Sequence, residues 1–159
     1  MNNEFQNIEQ QIIKSIKRID LEEDYEFDFP VSICFELENG IFKMSSNNDG
    51  SSLDLRITNW SEIQNDDGLE FGEYFLNELN EEDLLRDLIG ERILRLDIAK
   101  YKEEITMGKD WISYNGNYAG VKIETENHLM VYYNRNGGYC SIDLIDEIPD
   151  KSRWEIIKK

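Results

Sequence analysis

Residues 31–44 read Val-Ser-Ile-Cys-Phe-Glu-Leu-Glu-Asn-Gly-Ile-Phe-Lys-Met. Val31, Ile33, Phe35 and Leu37 alternate with Ser32, Cys34, Glu36 and Glu38. That is the period of a strand, whose successive side chains point to opposite faces. Asn39-Gly40 follows, the strongest short hairpin signal, because a tight hairpin turn needs residues that tolerate positive φ. Ile41 to Met44 returns as the partner strand, Ser45 to Ser52 is a polar loop, and Leu53, Leu55 and Ile57 alternate again. The stretch predicts a three-stranded antiparallel meander.

Upstream, Tyr25, Phe27 and Phe29 alternate with Glu26 and Asp28, and Pro30 suits a strand start or edge. Further upstream the period changes. Phe5, Ile8, Ile12, Ile16 and Ile19 recur at spacings of 3, 4, 4 and 3. This predicts an amphipathic helix of about four turns, with Gln6, Glu9, Gln10 and Lys14 on its other faces. Lys17 and Arg18 would suit its negative C-terminal end.

Downstream, Trp60 to Asn77 mixes acids, aromatics and glycines and reads as loop and irregular structure. Asn80 as N-cap and Asp83 as the acid of a capping box predict a short helix through Leu84, Leu85, Leu88 and Ile89, stopped by Gly90. Ile93, Leu94, Leu96 and Ile98 predict a strand, and Thr106 to Asn117 a loop. Residues 121–144 can then be laid over residues 31–55. Glu126-Asn127-His128-Leu129 falls on Glu38-Asn39-Gly40-Ile41, and Ile142-Asp143-Leu144 on Leu53-Asp54-Leu55. The expected fold is α+β, a single domain over residues 1–159. Its N-terminal amphipathic helix packs on antiparallel sheet built from two similar three-stranded meanders, with a short middle helix between them.

Composition narrows the function. Ile, Leu, Val and Phe make up 44 of 159 residues, above the roughly 20% below which a highly charged chain stays disordered. The chain holds 34 acids and 17 Lys and Arg, a net charge of −17. That excludes a non-specific nucleic-acid binder and a binder of anionic membrane surfaces, both of which need clustered Lys and Arg. No apolar run approaches the ~20 residues of a membrane-spanning helix. Met1-Asn2-Asn3-Glu4 lacks the basic start of a secretory signal. Cys34 and Cys140 do not make a disulfide framework, so a cytoplasmic protein is expected.

The charge is segregated. Residues 20–87 hold 20 acids and 3 bases, a net of −17, and the remaining residues hold 14 of each. Residues 20–28 carry six acids in nine positions, and Glu62 to Asp87 carries ten with one base. Solubility alone needs no such segregation; a face that meets a basic partner does.

Catalytic chemistry finds little footing. His128 is the single histidine, so there is no His-rich metal site, and it alone could serve a Cys nucleophile as histidine base. There is no phosphate loop, nucleophile elbow or dinucleotide fingerprint. Two candidate calcium loops fail at their ends: Ser45 and Arg56 stand at the first and twelfth positions of one, Ile63 and Tyr74 of the other. Carboxylate pairs for glycoside hydrolysis carry no information among so many acids. Neither an enzyme, a metal nor a cofactor is expected.

Aromatic residues interleaved with acids are what a protein interface needs, and Tyr25, Phe27, Phe29, Trp60, Phe71, Tyr74 and Phe75 lie in the acidic stretch. In size, charge and element order, and in the turn-bearing strands Phe35-Glu36-Leu37-Glu38-Asn39-Gly40-Ile41 and Ile123-Glu124-Thr125-Glu126-Asn127-His128-Leu129, the chain resembles immunity proteins of bacterial polymorphic and contact-dependent toxin systems. The resemblance implies a cytoplasmic protein that neutralises a cognate toxin domain, often a basic nuclease, by covering its active site. Asp66, Asp67, Glu70, Glu73 and Tyr74 are the first candidates for the contact, and Glu22, Glu23 and Asp24 the second. A DNA-mimic inhibitor of a nucleic-acid enzyme and a small ligand-binding domain are the alternatives.

Overall fold

The computed structural model describes residues 5–21, 30–46, 53–65, 72, 74–101, 118–134, 140–143 and 154–157. These residues are mostly β. Strands β1 (Ser15–Asp20), β2 (Ser32–Leu37), β3 (Gly40–Ser46), β4 (Leu53–Thr58) and β5 (Phe75–Glu78) form a first sheet in the order β4-β3-β2-β1-β5. Strands β6 (Ile93–Tyr101), β7 (Tyr118–Thr125), β8 (Leu129–Asn134), β9 (Cys140–Asp143) and β10 (Trp154–Ile157) form a second, in the order β10-β6-β7-β8-β9. All neighbours are antiparallel, and the two sheets join at a single register pair, Leu53 opposite Tyr118.

The pairing in the first sheet follows from the hydrophobic alternation. Phe35 lies opposite Phe42 and Ile33 opposite Met44, and Met44 in turn lies opposite Leu55. These side chains share one core with Leu96 and Ile98 of β6, Val121 and Ile123 of β7, and Met130 and Tyr132 of β8. The turn at Asn39-Gly40 needs its glycine: φ is 125° there, and a Cβ would lie 3.3 Å from Ile57 Cγ2. The other face of the first sheet carries a smaller core of Ile19, Cys34, Ile41 and Ile63. β7, β8 and β9 make a second meander in the segment that overlies the first in sequence.

The expected α+β fold with an N-terminal helix is overturned. Residues 5–19 form a 3-10 turn at Gln6–Ile8, a left-handed residue at Gln10 (φ 74°), a bridge from Ile12 to Arg92, and then β1. The physical reason lies in β1. Its two faces are both covered, so Ile16 enters the main core while Ile19, an odd number of residues on, enters the smaller core on the opposite face. A strand buried on both sides loses its alternation, and its apolar spacing imitates a helix. β-branched isoleucine at positions 12, 13, 16 and 19 favours the extended form. Phe5, Ile8 and Ile13 are buried in the main core all the same. Backbone bonds from Gln10 N to Ile93 O (2.7 Å) and from Lys14 N to Glu36 O (2.7 Å) tie this segment to both sheets.

Two further expectations change. Trp60 to Asn77 is not all irregular: it holds a helix α1 (Trp60–Gln64) and β5. The middle helix is a 3-10 turn over Leu84–Leu88, capped by Asp83 and not by Asn80. The strand expected at Tyr25–Phe29 and the loop expected at Thr106–Asn117 lie outside the described residues.

β1 also places a cation inside the protein. Arg18 is fully buried. Its Nη2 and Nε donate to both oxygens of Asp20 (2.8 and 3.3 Å), and its Nη1 donates to Asp83 Oδ2 (3.2 Å). Asn77 Nδ2 donates to Asp20 Oδ2 (3.2 Å), and Asp83 Oδ1 accepts from the backbone N–H of Leu85 (3.0 Å). The network therefore fastens β1 to β5 and to the 3-10 turn. Removing one partner of such a buried pair leaves a charge uncompensated, so Arg18→Met should cost about 3–5 kcal/mol in urea unfolding. A loss below about 1 kcal/mol would show that the pairing contributes no more than a surface ion pair.

Candidate protein-binding face

The face of the first sheet turned away from the main core carries the smaller core and α1. Asn59 starts that helix in an extended conformation, its side chain accepting from Glu62 N (2.9 Å). Thr58 Oγ1 donates to Glu62 Oε2 (2.5 Å). Ile63 is driven between Ile19, Cys34 and Ile41, so five residues are held as a helix by one buried side chain and one cap. Such a helix is too short to be stable without tertiary packing.

Trp60 opens the helix and lies half-buried over the sheet. Its Nε1 donates to Glu36 Oε2 (2.9 Å), and Ser15 Oγ donates to Glu36 Oε1 (3.0 Å). Lys17 Nζ lies 4.8 Å from the centroid of the indole ring and 3.2 Å from Glu78 Oε1. The Trp60 hydrogen bond, then that of Ser15, holds the Glu36 carboxyl below the ordinary glutamate range, against the opposing effect of its burial. Tyr74 and Leu76 pack half-buried on the same cluster. An amphipathic aromatic pair with charges at its edge is the make-up of a recognition surface.

Of the residues singled out in the sequence, the structure brings Tyr74 onto this face. Asp66, Asp67, Glu70, Glu73, Glu22, Glu23 and Asp24 lie outside the described residues. Lys17 and Glu36 were not legible as members of the face. Lys17 reads as a helix end in sequence, and Glu36 as one polar residue of an alternating strand. Their meeting depends on β1 pairing with β2 and on α1 folding back over both.

Ten of the twenty acids of residues 20–87 fall on described residues. Residues 20–87 supply β2 to β5, α1 and the 3-10 turn, and residues 88–159 supply the whole second sheet. In the first part Glu62, Glu78, Glu81, Glu82 and Asp87 are exposed. Of its three bases, Arg56 is paired with Asp54 (2.5 Å), and Arg86 donates to the carbonyl of Leu79 (3.1 Å).

Two groups with catalytic potential prove to be structural. Cys34 is completely buried, and burial pushes its thiol up to about 12, so it is not a thiolate nucleophile. His128 Nδ1 lies 2.9 Å from Glu91 Oε2, which by itself would look like an acid–base dyad. Glu91 is, however, already taken. It accepts from Thr125 Oγ1 (2.6 Å), Asn127 N (3.0 Å) and Asn127 Nδ2 (3.3 Å), and so clamps the β7–β8 turn. No three His, Cys, Asp or Glu side chains converge as metal ligands would among the described residues. No helix among them is long and apolar enough to cross a membrane. No protein-family model matches the chain, and neither a curated protein nor a solved structure is significantly similar to it.

The Glu91 clamp has a pH signature. Burial raises its pKa, but the hydrogen bonds from Thr125, His128 and Asn127 outweigh that and hold it below the ordinary range. A depressed carboxylate stabilises the fold above its unfolded pKa, and that contribution is lost as pH falls through its folded value. Glu91→Gln should therefore lower the melting temperature at about pH 7, and the gap to the parent should narrow as pH falls and the parent carboxylate takes up its proton. A gap that stays the same throughout an acid titration would contradict the clamp.

Proposed function

We propose that this chain is a binding protein that neutralises a cognate protein toxin, a basic nuclease domain, in the cytoplasm. The observation that carries the reading is the confinement of the whole net charge to residues 20–87 of the sequence. A nuclease must present a positive cleft to its phosphate substrate. An acidic surface can occupy that cleft and exclude the substrate with no chemistry of its own. Opposite potentials would steer the encounter and raise the association rate towards about 10⁸–10⁹ M⁻¹s⁻¹ at low salt. Affinity would come from a few buried anchors, for which half-buried Trp60 and Tyr74 are suited. The same potential repels nucleic acid, so the partner is a protein.

A tagged chain should retain one stoichiometric basic protein, or the C-terminal part of a large secreted one, from its native lysate at low salt. Restriction-type subunits in its place would favour the DNA-mimic alternative, and no partner at any salt would overturn both. With the partner in hand, Asp66, Asp67, Glu70 and Glu73 changed together to Lys should slow association by about tenfold or more at low salt and flatten its salt dependence. An unchanged rate would remove those four residues from the interface.

A further inference from the structure

We infer that the molecule is two copies of one five-stranded unit joined through an isologous contact, as the subunits of a twofold dimer are joined. The sheet orders β4-β3-β2-β1-β5 and β9-β8-β7-β6-β10 are the same order twice. The registers agree as well. Ile16 lies opposite Phe35 as Leu96 lies opposite Ile123, and Phe35 opposite Phe42 as Ile123 opposite Met130. Met44 lies opposite Leu55 as Tyr132 lies opposite Ile142, and Arg18 opposite Asn77 as Ile98 opposite Ile157. The overlay of residues 31–55 on 121–144 covers three strands of each sheet; the register extends it to all five.

Two meanders can share a strand order without being copies. The segments that precede β1 and β6 are what make the halves equivalent. Each holds a 3-10 turn, Gln6–Ile8 or Leu84–Leu88, that buries two side chains in the main core, Phe5 and Ile8 in one and Leu85 and Leu88 in the other. Each then takes one left-handed residue, Gln10 (φ 74°) and Gly90 (φ 90°). The turn between the second and third strands is tied back in the same way. Ile12 N donates to Glu38 Oε1 (2.9 Å) as Arg92 N donates to Glu126 Oε1 (2.8 Å). Asn39 N donates to Gln11 Oε1 (2.9 Å) as Asn127 N donates to Glu91 Oε1 (3.0 Å).

The contact between the copies is reciprocal, which is what a twofold axis imposes. Gln10 N donates to Ile93 O and Gly90 N to Ile13 O, both at 2.7 Å. Ile13 N donates to Glu91 O and Ile93 N to Gln11 O, both at 2.9 Å. Equivalent residues thus exchange places as donor and acceptor about the Ile12–Arg92 bridge. The surface that each copy offers there fits a second copy of the same unit. The copies differ in their charge chemistry. Where the first buries Arg18 the second buries Ile98, so the unit itself needs no internal cation. The guanidinium accompanies the acids of the copy that carries them. None of this depends on the identity of an outside partner.

A twofold axis makes the connection from the first copy to the second equivalent to one from the second back to the first. Residues 78–84 join Asn77 to Leu85. Lys158-Lys159, one added glycine and Met1 to Glu4 would join Ile157 to Phe5 by the same number of residues. The test is a circular permutant of the full chain that begins at Glu82, crosses this single-glycine junction and ends at Glu81. Both residues are exposed, where new termini are tolerated. The permutant should unfold in one transition near the parent's urea midpoint, and the amides of Gln10, Ile13, Gly90 and Ile93 should keep their parent exchange rates. A permutant that folds only with a junction longer by about ten residues, or that folds with those four amides unprotected, would overturn the twofold arrangement. The intact chain gives a second reading, independent of the junction. Glu38→Ala and Glu126→Ala each remove the acceptor of one bridge N–H, and each should speed exchange at all four amides by about tenfold. Acceleration confined to the amides of the altered copy would overturn the isologous contact, whether or not the permutant folds.

Discussion

The buried guanidinium of Arg18 is the interaction on which the acidic part of this protein depends. The stretch from Asp20 to Asp87 carries a net charge of −17, and self-repulsion at that density opposes a compact state. β1 comes mainly from outside the stretch, yet it lies between β2 and β5, which belong to it. It brings Arg18 to Asp20 and Asp83 on one face, and Lys17 to Glu78 and the Trp60 ring on the other. Arginine suits the buried position. Its planar fork meets Asp20 with two nitrogens and still has a third for Asp83, whereas a lysine would offer a single point of charge.

This arrangement reconciles stability with a charged exterior. The carboxylates that must be buried are paired or hydrogen-bonded, and those left over, such as Glu62, Glu81, Glu82 and Asp87, are exposed. The second sheet contributes the opposite half of the core, and residues 88–159 hold 12 acids against 11 bases. Its own buried acid, Asp97, is paired with Arg95 (2.9 Å), with Lys122 at 3.9 Å. The molecule thus separates two tasks along its chain. The stretch from Asp20 to Asp87 carries the net charge, and the second sheet completes the core on which the first is built.

The sequence made some of this legible. The alternation from Val31 to Leu37, the Asn39-Gly40 turn and the charge segregation are local or additive properties, and they need no knowledge of tertiary contacts. The β1 strand was illegible for a physical reason. Ile16 and Ile19 serve two different cores, so their spacing carries no period of two, and five apolar residues then fall on a helical stripe. Asp83 reads in sequence as the acid of a capping box begun by Asn80, and it is instead the cap itself, because Asn80 offers equally good local chemistry for the start of a helix. Asn80 does make a turn of its own, to Glu82 N, while Asp83 holds Leu85 N. For the candidate face, Tyr74 could be read from its company of acids. Lys17 and Glu36 could not, because their neighbours on the face come from strands and a helix distant in the chain.

Amide hydrogen exchange, read residue by residue on the parent and on Arg18→Lys, reports whether the Arg18 guanidinium holds the acidic part together. If the guanidinium fork holds the acidic part together, the amides of residues 83–90 and of β5 should exchange about tenfold faster in the variant or more, because local opening there costs less free energy. The amides of the β7–β8 hairpin should keep their parent rates. Unchanged exchange at residues 83–90, or an equal acceleration across both sheets, would contradict the account.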